Sequence, residues 1–287
     1  NILSASISGT RVSMRDQFLT YWRKRNRTSI KKGVDLIKFG KADALISTGN
    51  TGAVMAISKD ILGTLKNIDR PALSIMVPTL KGNALLVDVG ANVDSKPKNL
   101  VQFALMGKVY LENVLGIEKP RIALMSIGEE DSKGNELTKT TFSILKKLDI
   151  NFIGNIEGKD IHLGEADLIV TDGFTGNVTL KVTEGAVDLM TTLLEKEIKA
   201  SVVSKIGIFF LKRSLKNIKR KLDYSEYGGA LLLGVNGVVI IGHGRSNVKA
   251  IKNAIEQSRE VVRKRVVEKI GKEIVTMERT FKELKYV

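Results

Sequence analysis

The sequence predicts an α/β protein: a three-layer α/β/α sandwich built on one mostly parallel sheet. Three observations predict it. Short apolar runs rich in β-formers recur along the chain. Each ends in a loop of Gly, Asn, Asp or Thr, and a helical pattern follows. With only four prolines in 287 residues, no fixed repeat and no low-complexity tract, nothing reads as a long connector, so one domain is expected over 1–287.

The elements follow in order. Ala42–Ser47 is the first expected strand, and Thr48-Gly49-Asn50-Thr51-Gly52 leads into a helix ending near Leu62. Ala84–Val89 runs into Gly90-Ala91-Asn92-Val93-Asp94, then a helix from about Lys98 to Leu115. Arg121–Ile127 runs into the loop Gly128–Asn135, then a helix to about Leu148. A short strand at Asn151–Gly154 follows. Asp167–Thr171 leads through Asp172-Gly173-Phe174-Thr175-Gly176-Asn177 into a long helix reaching Ala200. Val238–Ile241 leads through Gly242-His243-Gly244-Arg245-Ser246-Asn247 into a helix to about Lys269. Strand–helix alternation implies right-handed βαβ crossovers. These loops are therefore expected at one carboxyl edge of the sheet, where such folds bind ligands.

Two segments depart from the rhythm. Residues 184–224 read as two helices, about 184–200 and 212–223, joined by an apolar turn containing Ile206, Ile208, Phe209, Phe210 and Leu211. An αα-hairpin of this kind is expected to protrude from the body. Roughly Val261–Tyr286 reads as an amphipathic helix with Val262, Val266, Ile270 and Val275 facing inward.

Composition narrows the function classes. There is no cysteine, which excludes disulfides, thiolate metal sites and a cysteine nucleophile. With two histidines, His162 and His243, no multi-histidine metal centre is expected, and no metal or cofactor is implied. No apolar run has the length of a membrane-spanning helix. The net charge of +15 is concentrated in Arg11–Lys32 and Lys196–Lys221, which points to anionic partners at particular places. Phosphate groups, an acidic carrier protein and nucleic acid all satisfy that description. In the second segment, apolar residues between Lys205 and Lys212-Arg213 suit a membrane surface, and a dimer contact or buried turn equally.

No GxxxxGK[ST] run is present, so a P-loop is excluded at motif level. No GxSxG elbow is present either. What remains is a set of loops rich in backbone donors, Asn, Thr and Lys. That favours chemistry in which the substrate supplies its own nucleophile, such as an oxygen of inorganic phosphate, while the protein positions it and stabilises an oxyanion.

The loops Ile46–Ala53, Val87–Pro97, Gly134–Lys139 and Thr171–Lys181, with Tyr227-Gly228-Gly229-Ala230 and His243-Gly244, resemble those of the bacterial PlsX-type phosphate acyltransferases, in order over residues 28–268. The resemblance implies a sandwich like that of phosphotransacetylases and isopropylmalate dehydrogenases, and a homodimer. It implies acyl transfer from acyl-acyl-carrier protein to inorganic phosphate. The acyl-phosphate product then feeds a glycerol-phosphate acyltransferase in phospholipid synthesis, in the cytoplasm and peripherally at the membrane. The family's opening strand and DAMGGD-type loop have no counterpart here, so this chain is expected to lack them.

Within this reading the expected catalytic residues are Asn177, Lys181, His243 and Asp88. Asn177 and Lys181, at i and i+4, share a helix face. Asn177 is assigned to the oxyanion and Lys181 to positive charge, against the plainer roles of helix cap and surface lysine. Asp88 orients its loop or a lysine. His243 is a general acid or base, or a satisfied buried imidazole. Phosphate or substrate contacts are expected from Asn50, Thr51, Asn92, Gly176, Arg245 and Ser246. Membrane or carrier contacts are expected from Ile206, Ile208, Phe209, Phe210, Leu211, Lys212 and Arg213. Two rival readings stand beside this one: a short-chain acyl-CoA enzyme like the phosphotransacetylases, and a basic nucleic-acid-binding protein, for which no motif is present.

Overall fold

The computed structural model describes residues 28–200, 202–222 and 228–283. Most of the first basic segment, Arg11–Lys32, lies outside them. Helix α1 (Ser29–Lys38) opens on Thr28, whose side chain accepts from the Lys31 amide. Then come β1 (Ala44–Ser47), α2 (Thr51–Leu62), and the hairpin of β2 (Ala72–Thr79) and β3 (Gly82–Val87). Helix α3 (Pro97–Tyr110) begins with Pro97 in its first turn and runs on as a π-helical turn, Leu111–Leu115. Next are β4 (Ile122–Met125), α4 (Glu136–Leu145), β5 (Phe152–Ile156) and β6 (Leu168–Val170). The long α5 (Gly173–Ala200) and α6 (Val202–Leu222) follow. Strands β7 (Ala230–Leu233) and β8 (Val238–Ile241) precede α7 (Val248–Arg263) and α8 (Val266–Glu283).

All strands join one 8-stranded sheet, in the order β1-β8-β7-β2-β3-β6-β4-β5. Its side chains alternate between two apolar layers. Leu85, Val87, Leu168 and Val170 face α3, α4, α7 and α8. Ala84, Leu86, Ile169, Val239 and Ile241 face α1 and α2. That is the expected three-layer sandwich. Strands β2 and β7 are additions to the expected set. Both are antiparallel to their neighbours, so the sheet is mixed.

These two strands overturn the expectation of one common carboxyl edge. Strands β1, β8 and β2 run one way; β3, β6, β4, β5 and β7 run the other. The loops come near each other for a different reason. A single row crosses the sheet through Ile46, Ile240, Leu231, Ser74, Val87, Val170 and Leu124. Strands β1, β8, β3 and β6 all end at or within one residue of that row, from opposite directions.

The region after β6 also differs from expectation. Helix α5 is continuous from Gly173, and α6 starts at Val202, so Phe210 and Leu211 lie within a helix rather than at an apolar turn. Beyond Gly176 no residue of α5 is buried. Phe210, Leu211, Lys212 and Arg213 are exposed. The side chains of Ile206, Ile208 and Phe209 lie outside the described residues. Helices α5 and α6 contact one another. Among the described residues no helix is long and apolar enough to cross a membrane. At the carboxyl end, the expected single helix is broken at Arg265, where φ is +51. Ile274 is buried in place of the expected Val275, which is exposed.

Candidate functional site

The loop after β3 is organised by one carboxylate. Asp88 is fully buried, and its Oδ1 accepts from the amides of Leu73 (3.0 Å), Gly90 (3.1 Å) and Ala91 (3.0 Å). Its Oδ2 accepts from the amide of Asn92 (2.8 Å) and from Asn92 Nδ2 (2.9 Å). Burial pushes this carboxyl above its ordinary value, and the surrounding N–H groups pull against that. Asn92 Nδ2 donates a second bond, to the Pro71 carbonyl, at 2.7 Å. Both hydrogens of that amide are therefore committed inside the loop. Asp88 and Asn92 build the loop; they are not presented to solvent as catalytic and phosphate-binding groups.

The loop after β6 is pressed onto this one. Asp172 caps α5 by accepting from the Thr175 amide (2.9 Å) and hydroxyl (2.7 Å). The Gly173 amide donates to the Asn92 carbonyl at 2.8 Å. A β-carbon on Gly173 would stand 2.6 Å from that oxygen, and one on Gly176 would overlap the Asp88 carbonyl. Gly176 thus serves close approach, and its amide is already bonded to the Asp172 carbonyl at 2.9 Å. The two glycines, three residues apart, let the first turn of α5 lie on the Asp88 loop. That seating aims Asn177, Leu180, Lys181 and Glu184, one face of α5, at the space beside Gly90.

The opposing wall comes from β1 and β8. Asn50 caps α2, its Oδ1 accepting from the Ala53 amide at 3.0 Å. Thr51 then opens the helix. After β8 a tight turn forms: the Ser246 amide donates to the His243 carbonyl (2.9 Å), and the Arg245 amide donates to His243 Nδ1 (3.2 Å). That contact makes Nδ1 an acceptor and leaves Nε2 as the proton-bearing nitrogen of the neutral ring.

Between these walls lies a cleft of roughly 340 Å³. Its floor is apolar: Leu73 and Ile75 of β2, Val89, and Ile241, with Met55 and Leu180 at the sides. Its polar lining is Thr51, Asn177, Lys181, Glu184 and His243. Of the residues expected from sequence, the structure therefore brings Thr51, Asn177, Lys181 and His243 together. Asn50, Asp88, Asn92 and Gly176 stand behind the lining. Arg245 and Ser246 belong to the turn and are not among the lining residues. The loops after β4 and β5 do not reach the cleft either, because those strands lie at the far end of the sheet.

Sequence reasoning missed Glu184. Its Oε2 lies 2.8 Å from Lys181 Nζ, an ion pair one turn beyond Asn177. The signal was the same helical spacing that singled out Asn177 and Lys181, carried one turn further. The Asn177 side chain makes no hydrogen bond to a described residue. Those residues hold no group of three or more His, Asp or Glu fit for a metal ion. An amide donor and an ammonium above an apolar floor suit a ligand with a hydrocarbon part joined to an anionic or polarised oxygen.

A family model described as fatty acid synthesis protein matches residues 5–269. The phosphate acyltransferase of Thermodesulfovibrio yellowstonii is 51% identical over 259 residues, covering 90% of this chain and 75% of that protein. The chain belongs to the phosphate acyltransferase family. A second member, from Geobacter sulfurreducens, is 50% identical over 265 residues, 92% of this chain and 77% of its own. Among solved structures, the EutD phosphotransacetylase of Staphylococcus aureus superposes with a TM-score of 0.54 at 15% identity, over 82% of this chain and 67% of that one. A branched-chain phosphotransacylase of Enterococcus faecalis gives 0.53 at 18% identity, over 82% and 79%. At such identities the likeness is one of fold. For this family member it places the mixed sheet among the phosphotransacetylases.

Proposed function

We propose that this chain transfers an acyl group from a thioester to inorganic phosphate, with a long-chain acyl-acyl-carrier protein as donor. The observation that carries the reading is the placing of Asn177 and Lys181 over an apolar floor in one cleft, in a chain half identical to proteins named phosphate acyltransferase. A phosphate oxygen attacks the thioester carbonyl carbon and forms a tetrahedral oxyanion. The C–O bond forms, the C–S bond breaks, and acyl-phosphate leaves with the carrier's thiolate. A thiol pKa of about 8.5 makes sulfur a leaving group that needs little proton assistance. Asn177 donates to the oxyanion and Lys181 offsets its charge, the kind of preorganised stabilisation that carries most of such a barrier. Thr51 and His243 contact the phosphate from the opposite wall. The reaction needs no cofactor or metal.

Several further features belong to the same proposal. The exposed stretch of α6 at Phe210, Leu211, Lys212 and Arg213 meets an acidic carrier or a bilayer surface, giving peripheral membrane association from the cytoplasm. Two chains form a homodimer. A glycerol-phosphate acyltransferase consumes the labile product.

The test is thiol release from long-chain acyl-acyl-carrier protein with and without phosphate. Phosphate-dependent release is expected, and Asn177→Ala should lower turnover roughly 10²-fold with an unchanged melting temperature. Release that ignores phosphate would remove the reading. One alternative stands beside it: a short-chain acyl-CoA donor, in an enzyme like the phosphotransacetylases whose fold this chain shares. Turnover of acetyl-CoA but not of the long-chain carrier substrate would select it.

A further inference from the structure

Lys181 does not face the cleft alone. Apart from His243, the ionisable residues lining it are Lys181 and Glu184, and they are paired at 2.8 Å. The lining as it stands is therefore balanced in charge, although the ligand proposed for it is an anion. The pair also adds little to helix stability, because the lysine precedes the glutamate, the weaker order for such contacts. Glu184 is the less exposed partner, at 31% against 57% for Lys181. It sits two turns beyond Asn177, on the face of α5 that lines the cleft.

We propose that Glu184 is a positioning residue that holds the Lys181 ammonium at the cleft and competes with phosphate for it. This rests on the reading of the cleft as a phosphate site. The carboxylate occupies the ammonium while the cleft is empty. A phosphate entering beside Asn177 takes the ammonium over and displaces the carboxylate, which then stands within a few ångströms of a like charge. Glu184 therefore weakens phosphate binding while keeping Lys181 from swinging out along the exposed helix. A carboxylate at this spot tunes affinity for the small anion and leaves the hydrocarbon part of the donor untouched.

The experiment measures inorganic phosphate binding to the purified chain by calorimetry, with initial rates alongside. Glu184→Gln keeps a hydrogen-bond acceptor for Lys181 and removes the charge. It should tighten phosphate about three- to tenfold and lower KM for phosphate by the same factor, leaving KM for the acyl donor unchanged. The difference should shrink in high salt. Glu184→Asp should keep the wild-type phosphate affinity within twofold. In a Lys181→Met background the effect of Glu184→Gln should fall below twofold, because the competition runs through the ammonium. Unchanged or weaker phosphate binding in Glu184→Gln overturns the proposal, as does an effect that persists in full without Lys181. Wild-type protein that neither binds nor uses phosphate would instead remove the phosphate reading itself, and this proposal with it.

Discussion

Gly176 rests directly on the main chain of Asp88: a side chain at 176 would overlap the Asp88 carbonyl oxygen. The contact joins the ends of two neighbouring parallel strands, and it sets the angle at which α5 leaves the sheet. Every α5 residue at the cleft inherits its position from it.

Gly176→Ala is therefore expected to destabilise the fold by about 1–3 kcal/mol, the usual range for forcing atoms into a packed site. Turnover should fall more steeply than stability, because Asn177 and Lys181 shift with the helix. Urea denaturation and rate measurements on the same preparation check both. A fully active Ala variant would mean that α5 is seated by something else.

Asp88→Asn separates a structural from a catalytic carboxylate. The substitution brings N–H groups toward the amides that Asp88 now accepts from, leaving buried donors without partners. A loss of about 2–4 kcal/mol in stability is expected. Wild-type stability with an altered pH–rate profile would instead give Asp88 a part in the chemistry.

The pair of Arg121 and Asp167 gives a pH test remote from the cleft. Burial raises the Asp167 carboxyl, but hydrogen bonds and charge from Arg121, at 2.8 Å, outweigh that and hold it below its ordinary value. A carboxyl lowered on folding adds stability above its unfolded pKa, and that stability is lost as pH falls through the folded value. Arg121 is partly exposed, so the gain is modest, about 1 kcal/mol. Asp167→Asn should be less stable than wild type at neutral pH by that amount. The gap should begin to narrow near pH 4 and close at lower pH. A gap that persists at pH 2 would assign the loss to packing.

For the surface of α6, Phe210→Asp combined with Leu211→Asp should abolish flotation with anionic vesicles, while turnover of soluble substrate stays near wild type. Both side chains are exposed, so the fold should tolerate the change. Unaltered flotation would place the contact elsewhere.

Much of this architecture was legible because strands followed by glycine-rich loops and helices write a local pattern. Strand β8 was bounded correctly, and α2 and α5 begin within a few residues of their expected starts. Strand β2 was missed because Ser74, Pro78 and Thr79 interrupt its apolar run, although Pro78 and Thr79 lie at its end. Strand β7 was hidden within the continuous apolar stretch that also contains β8. Losing both meant losing the antiparallel seam, and with it the direction of half the sheet, which depends on partners far away in sequence. The site shows the same division. Residues that point into the cleft from a helix, such as Asn177 and Lys181, were readable from spacing. The structural duties of Asn92 and Gly176 are not readable that way, because only coordinates reveal that an amide is already committed or that a backbone passes close by.

Strand β1 has a consequence for synthesis. Its one neighbour among the described strands is β8, which leaves the ribosome nearly two hundred residues later. A nascent chain halted before Ala230 carries β1 as an unpaired ribbon and lacks the wall that includes His243. The cleft is thus among the last features to form, and a prematurely terminated product has no half-working version of it.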